Sequence, residues 1–433
     1  MKTEINEYED SDAGLEVIGG GRGGIPLLSR RTFSSLKNPV FRLYYSAMLG
    51  QRASMNMQMV ARSLLIYRLT GSAAILGLVS LANALPMLCL SLFGGVIADR
   101  VHKKYVLLIG QASSAVVALG IALFLTLGYL SPERSGSWWI LIFASLFQGT
   151  IMGLMVPSRQ AIIPEIVGEG QLMNAVALNT LGMNVLRLIA PAAAGFLIDA
   201  FDFKAIYYIM TGMYLVAVLF VSFIPLTGTM SIRSGGALAD IKMGFKYIFH
   251  ETTVLLILIF TLFIVLLSRP YMMMMPIFAD DILKVGASGM GVLLSISGIG
   301  AAVGSLTLAS LPNKRRGIIL MVSSFILGLA LAGFSFSSSW YLSLTLIVIV
   351  GLGQAARMTL GNTLLMYYTD DKYRGRVMSV YGMDHGLTSL GTFGVGLLAE
   401  VIGIQWAVGG FAMILVFLSI LTLAFVPRLR RLD

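Results

Sequence analysis

The sequence predicts an all-α membrane protein, with twelve transmembrane helices forming two pseudo-symmetric halves of six. Three observations lead there. Hydrophobic residues make up 57% of the 433 and charged residues only 12%, with a mean hydropathy of +0.85; a soluble domain carries roughly 25% charge. Apolar stretches of about 20 residues, each enough to cross a ~30 Å hydrocarbon core, recur from Val40 to Val426. The chain also repeats itself. "GLVSLANALP", from Gly77, aligns with "GVLLSISGIG", from Gly291, and the same shift lays "DRVHKK" on "NKRRGI", with Asp99-Arg100 over Asn313-Lys314. Paired six-helix repeats are a transporter plan, with the substrate site between the halves near mid-membrane.

Residues 1–37 are acidic at first (Glu4, Glu7, Glu9, Asp10, Asp12, Glu16) and then glycine-rich, "GGGRGG". With no apolar core ahead of the first span, they are no cleavable signal peptide and are expected to be a disordered cytoplasmic tail. The first half, 38–227, holds spans at Val40–Tyr67, Ala74–Ala98, Tyr105–Leu130, Trp138–Pro157, Leu172–Ala200 and Ala205–Leu226. Residues 228–251 form the longest internal break, expected to be a cytoplasmic linker ending in an amphipathic stretch. The second half, 252–426, holds Thr252–Phe278, Ala287–Leu311, Gly317–Ser337, Trp340–Tyr367, Val377–Val401 and Gln405–Val426, and 427–433 form a second cytoplasmic tail. This arrangement gathers "DRVHKK", "NKRRG", "DKYRGR" and "PRLRRLD" on the inside and leaves Arg68, Arg134, Lys204 and Lys284 outside. The positive-inside rule therefore orients both termini toward the cytoplasm of a cell-membrane protein.

Several function classes are excluded. The net charge of +10 is dealt out among short loops, which signals topology rather than nucleic-acid binding. Cys89 is the one cysteine, so no intrachain disulfide can form, and the three histidines, His102, His250 and His385, lack metal-ligand spacing. No G-x-x-x-x-G-K-[ST] loop is present, so ATP is not the expected energy source. Neither a cofactor, a metal nor an enzymatic activity is expected.

The stretch "GGVIADRVHKKYV" resembles the loop motif of the major facilitator superfamily, with Gly95, Asp99, Arg100, Lys103 and Lys104 in register and His102 where glycine is frequent. "NPVFRLYY", "YRLTGSAAILGLV", "PSRQAIIPEIVGEGQLMNAVALN", "RLIAPAAAGFLI" and "RGRVMSVYG" are similar to the enterobactin-exporter and macrolide-efflux branch. The resemblance implies that the loop charges latch the inner ends of the halves in an outward-facing state. Physically, Asp99 at a span's end can face the positive N-terminus of a neighbouring helix, and the three cations can pair with it. The second-half copy carries Asn313 and should latch more weakly. Gly149-x-x-x-Gly153, Gly300-x-x-x-Gly304 and Gly382-x-x-x-Gly386 allow close helix approach, either for sliding or for static packing.

Ionisable residues at membrane depth are the candidate site. They are Arg52, Arg187, Arg269, Arg357, Asp384 and His385. Such charges face a bundle interior or a water-filled cavity. Counted at about 1.5 Å per residue, Arg52 and Asp384 lie near the midplane and Arg269 about 10 Å nearer the outside. The resemblance implies that the first, fourth, seventh and tenth spans line the cavity, which would place Arg52, Arg269 and Arg357 on it. Two readings stand. Either carboxylates or carbonyls neutralise the arginines, with Asp384 the natural partner though one acid cannot serve them all, or surplus positive charge attracts an anionic or acceptor-rich substrate. Arg187 reads as structural.

Four successive methionines follow Arg269 in "SRPYMMMMP". They point about 100° apart on a helix and cannot cage a soft metal. Pro270 and Pro276 loosen that helix, and Met272 and Met275 would give an adaptable wall beside Arg269, with ordinary packing as the rival. Asp384 and His385 are the proton-coupling candidates. The expectation is a monomeric, proton-driven exporter, an antiporter for siderophore-like or drug-like molecules. Lipid or lysolipid movement, and a non-transporting scaffold or receptor on the same fold, are the alternatives.

Overall fold

Apolar length, punctuated by caps and prolines, sets the helices. A computed structural model of the chain describes residues 33–134, 136–226, 237–312 and 314–432. Side chains at 92, 95, 96, 98, 99, 169, 237–242 and 385 are outside that description. Gly95, Asp99 and His385 are thus placed by their backbone alone. Asn313 and most of the 1–37 tail lie outside the described residues.

Helix α1 (Pro39–Thr70) starts where the Asn38 side chain accepts from the amides of Val40 and Phe41, with Pro39 at the first position. It stops at Gly71 in the left-handed region. Then come α2 (Ala73–Arg100), α3 (Lys103–Thr126), α4 (Trp139–Val167) and α5 (Glu169–Ser222). At 54 residues α5 would be roughly 80 Å long at 1.5 Å per residue. Asp202, at φ 70°, turns it into two arms, the fifth and sixth spans. The amphipathic α6 (Ala237–His250) leads into the second half: α7 (Thr252–Ser268), α8 (Tyr271–Ile277), a π-helical turn (Phe278–Ile282), α9 (Gly286–Ser310), α10 (Arg316–Phe336), α11 (Trp340–Tyr368), α12 (Asp371–Tyr381), α13 (Asp384–Ile402), α14 (Ile404–Phe425) and the short α15 (Pro427–Arg430).

Ten of the described helical segments are long and apolar enough to cross a membrane. The polar α1, and the division of α5, bring the set to the expected twelve. Two spans differ from expectation. The seventh breaks between α7 and α8, and the eleventh between α12 and α13, where continuous helices were anticipated.

Glycines position the helices within each half. A Cβ on Gly149 or Gly153 would strike the α2 backbone at Asn83 or Met87, and one on Gly300 or Gly304 would strike α11 at Val348 or Leu352. These two pairs are packing seams inside a half. Gly382 instead ends α12.

Between the halves run two seams related by the internal repeat. Gly77 of α2 lies against Phe393 of α13, and its repeat partner Gly291 of α9 lies against Pro191 of α5. Gly195 of α5 lies against Ala287, and Gly396 of α13 against Ala73. Four residues beyond each of these last glycines stands an acid. The Asp199 carboxylate accepts from the Ser288 amide at 2.7 Å. Glu400 accepts from the Ala74 amide at 3.1 Å and the Ser72 hydroxyl at 2.6 Å. Each acid therefore caps the N-terminus of a helix in the opposite half, where amides lack intrahelical partners.

Arg68 adds a two-pronged bond to Asp280 (2.9 and 3.2 Å), and Tyr67 donates to Asp281. All these contacts lie on the face opposite the chain termini, called distal here. Deeper in, Ser80 meets Ser389 at 3.0 Å, and the Ala192 amide donates to Ser295 at 3.1 Å. At the terminal face the described pairs stay within one half. Lys103 pairs with Glu165 at 2.5 Å, Lys104 donates to the Ser222 carbonyl at 2.7 Å, and Tyr247 stacks on Tyr373 while accepting from the Asp370 amide.

Gly291→Val, which drives a branched side chain into the Pro191 carbonyl, is expected to weaken distal closure by about 1–3 kcal/mol. Spin labels on either side of the seam should then report a longer distal separation with unchanged helix content. Removing both caps (Asp199→Ala with Glu400→Ala) should weaken the same closure by about 1 kcal/mol per cap. With Cys89 replaced by serine and a cysteine placed at Thr388, distally added thiol reagent should react faster than in the parent protein.

Candidate functional site

Two interrupted helices build the site. Ser268 ends α7, and Arg269 and Pro270 intervene before α8. Pro270 has no amide hydrogen to continue the ladder. Gly382 and Met383 separate α12 from α13, which opens on Asp384, a first-turn position that suits an acid. Interrupted backbone at membrane depth is tolerated where it meets protein or a water-filled cavity. Both breaks border one cavity of about 290 Å³ between the halves. Asn56 and Met59 of α1, Ser80 of α2, and Arg187 and Pro191 of α5 line it from the first half. Arg269, Met272, Met273, Leu294, Ser297, Asp384, Thr388, Ser389 and Thr392 line it from the second.

Its charges do not balance. Arg357, 2% exposed, sits behind the wall with Nη2 3.9 Å from the Asp384 carboxylate. This ion pair is too long for a hydrogen bond. Arg357 is also within electrostatic reach of Arg269 and Arg187. Among the described residues here, three guanidiniums thus share one carboxylate. Arg269 directs Nη1 to the Met272 sulfur at 3.5 Å, a weak acceptor, and its buried Nε meets no hydrogen-bond partner in the described protein. A cation so placed can bind a further acceptor without first breaking a strong bond.

The structure sorts the sequence candidates. Arg269, Met272 and Asp384 meet at the cavity. Arg357 belongs to the buried layer behind it rather than to its surface. Met275 is fully buried in the core, turned away from the cavity by the helix. Arg52 is half-buried outside this lining, within electrostatic reach of Arg159 and Tyr44. Arg100 is exposed, while Lys103 and Lys104 tie helices within the first half instead of bridging the halves. Asp99 and His385 have no described side chains.

Arg187, read as structural, lines the cavity. Arg159 was missed because its span was expected to end at Pro157, whereas α4 runs on to Val167 through both Pro157 and Pro164. A larger groove of about 850 Å³ lies among α2, α3 and α4, with Ile109, Val116 and Phe147 exposed along it. Its lining is apolar and suits acyl chains, not a charged cargo.

Comparisons with known proteins agree with this architecture. The family described as transmembrane secretion effector matches residues 30–433. The staphyloferrin A transporter of Staphylococcus aureus (strain NCTC 8325 / PS 47) is 27% identical over 335 residues, covering 77% of this chain and 83% of that protein. The enterobactin exporter of Shigella boydii serotype 4 (strain Sb227) is 25% identical over 401 residues, covering 91% and 94%. Among solved structures, the nucleoside transporter NupG superposes with a TM-score of 0.69 at 14% identity, covering 90% of this chain and 98% of that one. A bacterial homologue of the human lysosomal transporter Spinster, inward-facing and unoccupied, gives 0.68 at 12% identity, covering 93% and 98%. These relatives are transporters rather than enzymes, and the chain belongs to the transmembrane secretion effector family of the major facilitator superfamily.

Proposed function

We propose that this protein is a proton-coupled exporter of small, amphipathic, anionic molecules of the siderophore-like class, working by alternating access in the cell membrane. The observation that carries the reading is the cationic surplus between the halves, with Arg187 and Arg269 on the cavity wall and Arg357 behind them, against Asp384. A positively charged, partly desolvated cavity attracts anions. Met272 and Met273 provide adaptable apolar surface beside the charge. The siderophore names of two relatives support this class of cargo. The positive-inside rule makes the terminal face cytoplasmic, so the distally closed arrangement is the state that loads from inside. The loop of Gly95, Asp99, Arg100, Lys103 and Lys104 would then act when the terminal face closes.

Arg269→Lys keeps the charge but loses the forked donor, so it should weaken anionic cargo binding less than Arg269→Met does. Affinities of the purified variants for an anionic siderophore and for a neutral analogue test this. Equal losses for both cargoes would return Arg269 to a structural role.

Asp384 is the proposed proton acceptor. When ionised it competes with an anionic cargo for the same arginines, and protonation removes that competition. Cargo affinity should therefore rise as pH falls, and Asp384→Asn should bind tightly at every pH. In proteoliposomes, imposing a pH gradient should alter wild-type transport and leave the Asp384→Asn variant indifferent. Gradient-sensitive transport by that variant would exclude Asp384 as the coupling group.

A further inference from the structure

A second, smaller cavity of about 90 Å³ lies inside the first half, away from both seams. Arg62 and Gln58 of α1, Asn83 of α2 and Gln148 of α4 supply its polar wall, and Met55, Met59 and Met152 complete it. Met59 also lines the central cavity, so the two spaces are neighbours.

Arg62 is the unexplained group. Its Nη1 donates to the Ser145 hydroxyl at 3.3 Å. Its Nε is buried and meets no hydrogen-bond partner in the described protein. Among the described residues no carboxylate pairs with it; the groups that act on its charge are the buried hydroxyls of Tyr207 and Tyr214. Arginine does not escape the difficulty by losing its proton. Arg62 is half-buried, with its Nε shut away from solvent, and a cation held this way without a counter-charge is unfavourable at membrane depth. The neighbouring amides are partly engaged, Asn83 with the Ser145 carbonyl at 3.2 Å and Gln148 with the Ser114 hydroxyl at 3.4 Å. The Gln148 carbonyl oxygen faces no donor of the protein. An anion would need to keep this acceptor at a distance, with a water between.

We infer that this cavity binds one small monovalent anion, either chloride or a carboxylate group, as the counter-ion of Arg62. At roughly 30 Å³ per water the space holds such an anion with a water or two, and the Gln58 side chain in the wall can turn an amide hydrogen toward it. A water alone would satisfy Nε but would leave the charge uncompensated. The inference concerns the fold of the first half and does not rest on the cargo assigned to the central cavity.

Thermal unfolding of the purified full chain, without cargo, tests it at constant ionic strength as sodium gluconate is replaced by sodium chloride or sodium acetate. An anion that binds only the folded chain should raise Tm saturably, on the order of a few degrees. A rise with chloride alone identifies an inorganic ion; a rise with acetate as well identifies a carboxylate site, and either supports the inference. Arg62→Gln should abolish the rise. Gln58→Glu, which tethers a carboxylate beside Arg62, should also abolish it while holding Tm in gluconate near the chloride value of the parent. No rise with either anion, or variants that respond as the parent does, would overturn the site and leave water as the partner of Arg62.

Discussion

Two helix N-termini, those of α2 and α9, hold the halves of this protein together. Each offers backbone amides that its own helix cannot satisfy, and each receives a carboxylate from the opposite half, Glu400 and Asp199 respectively. The glycines one helical turn earlier, Gly396 and Gly195, let the backbones come close enough for those bonds to form. Apolar packing alone would fix the halves poorly in lipid, because the surrounding chains are as apolar as the interface. Directional caps at two symmetric points define where the halves meet, and hence where the space between them must open.

The cavity inherits its character from that geometry. Seams that close distally bring the broken seventh and eleventh spans to the same level, and the breaks place Arg269 and Asp384 on one surface. Because α13 starts at Asp384, the acid sits on a helix end instead of mid-helix. Arg357 neutralises it only loosely from behind. The result is a chamber whose described lining sets Arg187 and Arg269, with Arg357 behind them, against the Asp384 carboxylate.

Much of the fold was legible in the sequence because span length and loop charge are one-dimensional signals. The repeat pairing of Gly77 with Gly291 was legible too, yet the capping acids were not recognised. "GFLID" and "GLLAE" carry them at matching positions, and only contact across the halves gives those residues their role. The central arginine was found because a charge in an apolar run is conspicuous. Its surroundings were read less well. Counting depth along straight helices set Arg269 about 10 Å from Asp384, and such a count could not show that the two line one cavity. A proline signalled the first break, whereas Gly382 resembled a packing glycine. Met275 was misplaced because a run of identical residues conceals which of them faces inward.

The loose pair between Arg357 and Asp384 has an electrical consequence. On the proposed reading, a proton and an anionic cargo assist each other's binding, so they would travel together, unlike the antiport expected from the sequence. A cargo with two or more negative charges then leaves with one proton as a net anion. An inside-negative membrane potential drives such a complex outward, by about 2.3 kcal/mol per charge for each 100 mV. Voltage, and not the acidity of the exterior, becomes the force that empties the chamber.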